Sequence, residues 1–324
     1  MAFSRFDPGA TPTARIGLGL AAVGRPGYLN LGRSRDLPAE RTPEAMRRRT
    51  HEVLDAAHAG GVRYVDAARS YGRAEEFLAG WLEARGPAAR DVVVGSKWGY
   101  TYTAGWRVDA EVPEVKDHGA AAFERQAAES RGLLGERLDL YQIHSVTPDS
   151  PALADRELHE RLAALAAEGV TIGLSTSGPR QAEAVRAALD VTVAGRPLFQ
   201  TVQCTYNLLE PSAEPALAEA HAAGRTVLVK EALANGRLAG EAAPPEVRRI
   251  AAGLGTTPDA VALAAVLACG WAGVVLSGAA SAAQVRANLA AATLPLEEGQ
   301  RAALTRLAEP AEEYWAHRAA LPWG

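Results

Sequence analysis

Only two cysteines occur in 324 residues, Cys204 and Cys269, both inside apolar stretches and far apart. That scarcity excludes a disulfide framework and a thiolate metal cage, and leaves both as small core residues. No apolar run approaches the roughly 20 residues needed to cross a bilayer, and the N-terminal MAFSRFDPGATPTAR has no apolar signal core. A protein of the reducing cytoplasm, with no membrane partner, is therefore expected. Neither sign of charge dominates: 34 basic against 38 acidic residues give a net charge of −4, which removes the electrostatic footprint of a nucleic-acid binder. The densest basic run, Arg47, Arg48 and Arg49, falls in a helix-like segment and is expected on a solvated face. Three motifs are also missing. No G-x-G-x-x-G opens a helix after the first apolar run, which argues against a Rossmann unit. No G-x-S-x-G elbow supports a serine hydrolase, and no cluster has metal-ligand spacing, so no metal is expected.

What is present is ordinary for a globular protein, with 48% hydrophobic and 22% charged residues. Short apolar runs of buried-strand type alternate with amphipathic helical runs from end to end, the pattern of a parallel sheet with helices outside it. Eight strand-like runs stand at 16–22, 64–66, 92–96, 138–143, 170–175, 198–203, 226–230 and 272–276. Helical runs follow at 44–60, 73–84, 121–134, 157–168, 180–189, 214–223, 258–268 and 282–292, with a last segment over 295–319. No composition break divides the chain, so residues 1–324 are expected to form a single-domain (β/α)8 TIM barrel, an α/β fold, with an open doubly wound sheet as the competing topology. The connection over 98–120 is too long for a simple link and carries Trp98, Tyr100, Tyr102 and Trp106. These aromatics are expected either to line a substrate pocket or to pack the loop on the barrel. Tyr28 and Arg25, in the loop after the first strand, have the same two uses open to them. His51, His58, His118, His159, His221 and His317 are expected as surface or capping residues.

The stretch GVRYVDAARSYGRAEEFLAGWL, residues 61–82, carries the first chemistry. A buried strand closes on Asp66, a polar loop follows with Tyr71 and Gly72, and an amphipathic helix begins. Taken alone, Asp66 is equally compatible with a helix cap and Tyr71 with a loop aromatic. In a barrel, however, Asp66, Lys97 and His144 end three successive strands, with Tyr71 on the loop above the first, at the rim where barrel active sites are built. An ammonium beside a phenol is expected to lower its pKa and make it a general acid. Asp66 would fix the ammonium, and His144 would orient a carbonyl oxygen, which together suits reduction of a carbonyl by hydride.

The same stretch resembles the aldo-keto reductase signature G-x-x-x-x-D-T-A-x-x-Y-G-x-x-E-x-x-L-G-x-x-L, with Ala67 in place of the usual threonine or serine. The similarity runs on in order through SKWG, LDLYQIH, IGLSTSG, VQCTYNLLE, VKEALANGRL and SGAASAAQVRANLAA. The resemblance implies an NAD(P)H-linked oxidoreductase in which Tyr71 gives the proton and Lys97, Asp66 and His144 support it. It also implies that Ser175, Thr176 and Gln203 hold the nicotinamide amide, Thr176 replacing the common asparagine. Leu233, Gly236 and Leu238 would lie along the pyrophosphate; Gly278, Ala279, Ser281, Gln284 and Asn288 would meet the adenosine end. Lys230 stands where many members stack an aromatic on the nicotinamide, and Glu231 where a small polar residue approaches the pyrophosphate. Ala280 replaces the arginine used on the 2′-phosphate, which weakens the case for NADP(H) over NAD(H) without removing NADP(H) from first place. The expected substrate is a small aldehyde, ketone or alcohol. A sugar or polyol dehydrogenase using NAD, and a dinucleotide-binding regulatory barrel, are the other readings compatible with the motifs.

Overall fold

The computed structural model describes residues 9, 11–27 and 36–322. Among these, the strands in chain order are β1 (Ile16–Gly19), β2 (Tyr64–Asp66), β3 (Val93–Trp98), β4 (Tyr100–Tyr102), β5 (Glu114–Lys116), β6 (Leu140–Val146), β7 (Thr171–Thr176), β8 (Thr192–Val193), β9 (Arg196–Pro197), β10 (Thr201–Thr205), β11 (Thr226–Lys230) and β12 (Val274–Ser277). Eight of them close into a parallel barrel in the order β1-β12-β11-β10-β7-β6-β3-β2. The competing open sheet is thereby excluded. The helices are α1 (Pro43–Ala59), α2 (Ala74–Arg85), α3 (Ala120–Leu134), α4 (Arg156–Ala167), α5 (Gln181–Leu189), α6 (Glu214–Ala222), α7 (Pro245–Gly253), α8 (Pro258–Leu267), α9 (Ala282–Leu289), α10 (Glu298–Thr305) and α11 (Ala311–Ala319). Among the described residues no single helix is long and apolar enough to cross a membrane.

Two-residue alternation along the strands explains why the barrel is apolar at one end and reactive at the other. Side chains at i and i+2 share a face. Tyr64, Val93, Leu140, Leu228, Val274 and Leu276 form their own buried cluster. One pleat further along the same faces come Asp66, Gln142 and Lys230, and after them, on β3 and β6, Lys97 and His144. β2, β3, β6 and β11, which enter the barrel on an aliphatic or aromatic residue, thus leave it on Asp66, Lys97, His144 and Lys230. The outer face of every strand meets the helices in a second, larger cluster that includes Phe77, Trp81 and Leu162.

Three features were not legible from periodicity. The 98–120 connection is partly a hairpin, with Tyr100 opposite Lys116 and Tyr102 opposite Glu114. A second, two-residue-stranded hairpin, β8 and β9, follows α5. The proline-containing stretch after β11 holds α7, whose buried stripe is Val247, Ile250 and Ala251.

Candidate active site

The loop bearing Tyr71 is set by close contact with the loop after β1. Gly72 takes φ +60, and a Cβ there would stand 2.7 Å from the Gly24 carbonyl oxygen. A Cβ on Gly24 would in turn meet the Tyr71 carbonyl at 2.5 Å. The Arg73 amide donates to the Gly24 carbonyl at 2.8 Å, so the two loops are stitched backbone to backbone. Only glycine permits this approach at both places.

Tyr71, Lys97, Asp66 and His144 converge. The Lys97 ammonium, buried without exposure, forms an ion pair with Asp66. It also donates to the Ala67 carbonyl at 3.0 Å and to the Tyr71 hydroxyl at 3.4 Å. Asp66 is held from its other oxygen by the Tyr64 hydroxyl at 3.0 Å and Gln203 Nε2 at 2.9 Å. His144 meets Tyr71 edge to face with ring centroids 5.5 Å apart, and Tyr100 at 5.1 Å. Its Nδ1 lies 3.5 Å from the Ser70 hydroxyl.

Burial decides the protonation states, and here the expectation for Tyr71 is corrected. Its pKa is raised, chiefly by burial and then by the Asp66 charge, with Arg25 pulling the other way. The phenol is therefore a protonated donor, not a group poised to ionise. Since Lys97 donates to the phenol oxygen, the phenol proton is left for another acceptor. His144 is held well below the ordinary imidazole range, first by burial and then by the Lys97 charge, so its ring is neutral.

These groups open onto one cleft that encloses about 1470 Å³ of empty space, part of it continuous with solvent. Its lining includes Asp66, Tyr71, His144 and Gln203, then Lys230, Glu231, Leu233 and Gly236, and also Gly278, Ala279, Gln284 and Asn288. Two amide oxygens on its wall, Gln203 Oε1 and Asn288 Oδ1, are buried with no hydrogen-bond partner, which marks both positions for a ligand bearing donors. Ser281 caps α9 by accepting from the Gln284 amide at 3.2 Å, and Gln284 accepts from the Ala280 amide at 2.8 Å. The turn at Gly278 and Ala279 is thus folded against a helix N-terminus, a place suited to phosphate.

Several expected contacts are not brought to the cleft. Ser175 faces into the barrel but accepts from the Ser145 amide at 2.8 Å. Thr176, the next residue on the strand, points the opposite way, toward Gln181. Leu238 is fully buried beneath its loop, and the Ser281 hydroxyl serves the α9 cap. Of the aromatics, Trp98 is sealed against Phe123 and His118 at 5.1 and 6.1 Å between ring centroids. Trp106 packs on Phe77 and donates to the Arg41 carbonyl at 2.7 Å. Tyr100 borders the site through His144, whereas Tyr102 does not line the cleft. Tyr28 lies outside the described residues.

Conversely, several residues take contacts that the sequence left open or did not suggest. Arg25 is buried, its guanidinium 5.4 Å from the Tyr71 ring centroid, donating to Ser70 and pairing with Glu114 on β5 at 3.0 Å. Arg318, from α11, grips Glu231 bidentately. Glu231 has φ +56, a conformation tolerated because Asn207 Nδ2 also fixes its carbonyl at 3.0 Å. His118 is not a surface residue: it is buried, with Nε2 2.8 Å from the His144 carbonyl and Nδ1 2.7 Å from the Ser150 hydroxyl. His159 is likewise buried against the Ala152 carbonyl. No local pattern distinguishes Arg25, Arg318 and His118; each acquires its contacts from a segment distant in sequence. Among the described residues no group of side chains is arranged to hold a metal ion.

The likeness to known proteins extends over most of the chain. A family model described as the aldo/keto reductase family matches residues 15–309. The aldo-keto reductase str7 of Strobilurus tenacellus is 27% identical, with 93% of each chain covered. A Pseudomonas aeruginosa crystal structure titled as an aldo-keto reductase superposes with a TM-score of 0.62 at 26% identity, covering 86% of this chain and 90% of that one. A Bacillus halodurans aldo-keto reductase, solved in holo form, has a TM-score of 0.67 at 22% identity, covering 93% and 95%, and shares the fold.

Proposed function

The chain belongs to the aldo/keto reductase family, and on that premise we propose that it reduces a small aldehyde or ketone to the alcohol, or runs the reverse, with Tyr71 as the proton donor. Members of the family act on small carbonyl compounds with a nicotinamide cofactor. The observation that carries the residue assignment is the contact of Lys97 with the Tyr71 hydroxyl inside the cleft.

The cleft fits a dinucleotide. Gln203 offers its unpartnered amide oxygen to a carboxamide near Tyr71, the turn at Gly278 and Ala279 offers a helix N-terminus to phosphate, and Asn288 offers an acceptor at the far end. When bound, the reduced nicotinamide supplies the hydride. The protein supplies the rest. A carbonyl oxygen placed between the Tyr71 hydroxyl and the neutral His144 ring takes a hydrogen bond from the phenol, which becomes a proton as negative charge develops on oxygen. The phenolate left behind is met by the Lys97 ammonium already donating to it, and Asp66 keeps that ammonium in place. We keep NADP(H) as the first cofactor and NAD(H) as the second, although Ala280 offers no cation to a 2′-phosphate.

Replacing Tyr71 by phenylalanine removes the proton and leaves the wall. Dinucleotide affinity is expected to stay within about twofold, while kcat for carbonyl reduction falls by about two to four orders of magnitude, the range of a positioned acid. Fluorescence titration and initial rates measure the two. Turnover near that of the unaltered protein would remove Tyr71 from the role.

A further inference from the structure

Among the described residues, the charged groups near Tyr71 and Lys230 come in pairs, with one exception. Lys97 is matched by Asp66, Arg25 by Glu114 and Arg318 by Glu231. Lys230, at the end of β11, has one carboxylate within 4 Å, Glu231 at 3.7 Å, and that group already receives both nitrogens of the Arg318 fork. Lys230 instead donates to the Thr205 hydroxyl at 2.7 Å. Lys230, Glu231 and Arg318 together carry one positive charge in excess, in a largely buried setting and on the wall of the same cleft as Tyr71 and Gln203. Asp36 and Asp259 also line the cleft, but elsewhere: Asp36 is joined to Ala280 through Arg49, which donates to both carbonyls, and Asp259 accepts from the Gly240 amide.

A nicotinamide ring differs between its two redox states by one positive charge, which the oxidised ring carries and the reduced ring does not. For hydride to reach a carbon whose oxygen is held at Tyr71, the ring must lie in the part of the cleft that Lys230 and Gln203 wall. Resting on the dinucleotide reading above, we infer that Lys230 is a specificity-determining residue that makes this site discriminate against the oxidised cofactor and favour the reduced one. Burial lowers the Lys230 pKa, with Glu231 pulling the other way, and the Lys230 charge is felt at His144 after burial and the Lys97 charge, which places the ammonium in electrostatic reach of the reacting groups. A like charge in a partly desolvated site repels far more than one in water. By the thermodynamic cycle linking binding and reduction, the ratio of the two dissociation constants is the change in the cofactor's reduction equilibrium on binding. A site built this way releases the oxidised dinucleotide readily after reducing a carbonyl.

The test is a pair of titrations, reduced and oxidised dinucleotide, in both the NAD and NADP series, followed by protein fluorescence on the full chain. The unaltered protein is expected to bind the reduced form more tightly. In Lys230→Met, which keeps the stem and removes the charge, the ratio of oxidised to reduced dissociation constants should fall by about tenfold. Lys230→Arg, which restores the charge, should keep the ratio, and also controls for folding. Equal weakening of both forms in Lys230→Met would overturn the inference and make Lys230 a partner of the phosphates. Failure of the unaltered protein to bind either form would overturn the dinucleotide reading itself, and this inference with it.

Discussion

A phenol, an amine, a carboxyl and an imidazole are unremarkable in water, and what changes them here is enclosure. Burial keeps the Tyr71 phenol protonated and the His144 ring neutral, so the site holds one dedicated donor beside one polarising ring. His118 is bound into the same arrangement, since it holds the carbonyl of His144 while remaining uncharged, its pKa pushed down to about 4 by burial. The sign of the consequence follows from linkage. The unfolded imidazole binds its proton near 6.5 and the folded one only near 4, so stability is complete above 6.5 and is lost as pH falls toward 4. Urea denaturation of His118→Gln beside the unaltered protein should show the latter losing up to roughly 3 kcal/mol more between those limits. Parallel curves would mean that His118 titrates normally. The convergence of Tyr71, Lys97, Asp66 and His144 was legible in the sequence because each stands near the end of a strand or follows one at a fixed offset. Glu114, Arg318 and His118 were not, and for Arg25 the choice between substrate contact and packing stayed open, because a loop, a hairpin and the last helix place them, and no period in the chain announces contacts of that kind.

Elements, not residues, hold the loop that carries Tyr71. The approach of the loop after β1 to the loop after β2 depends on Gly24 and Gly72. Gly24→Ala would press a methyl group into the Tyr71 carbonyl and Ala74, at a cost of about 1–3 kcal/mol for overpacking. The melting temperature is expected to fall, and kcat to fall further than that loss of stability explains, because the phenol moves with its loop. Unchanged kcat in a folded variant would show that the contact does not position Tyr71. Strands and most helices followed from alternation and helical spacing alone. The hairpin of β4 and β5 did not, since its residues alternate over too few positions to stand out, and α7 was hidden by the proline that starts it. Strand alternation also explains the fate of Ser175 and Thr176: adjacent residues on β7 cannot both face the cleft, and the one that faces the barrel interior is taken by the Ser145 amide.

At the scale of the whole molecule, a closed barrel separates what keeps the fold from what performs the chemistry. Its lower interior is the apolar cluster around Tyr64 and Leu140, and its upper rim gathers charge from β2, β3 and β11 beside the neutral His144 of β6. The C-terminal helix α11 completes that rim by sending Arg318 to Glu231. Net charge and composition set the class of the protein but not its substrate, which depends on the loops above the rim. Stereospecific hydride transfer tests the central claim most directly: the protein is mixed with reduced dinucleotide deuterated at C4 and a panel of aldehydes and ketones, and the product carbon is assayed for the label. Deuterium at the former carbonyl carbon, lost in Tyr71→Phe, is the expected result. Tight binding of the dinucleotide with no label transferred to any carbonyl would contradict it.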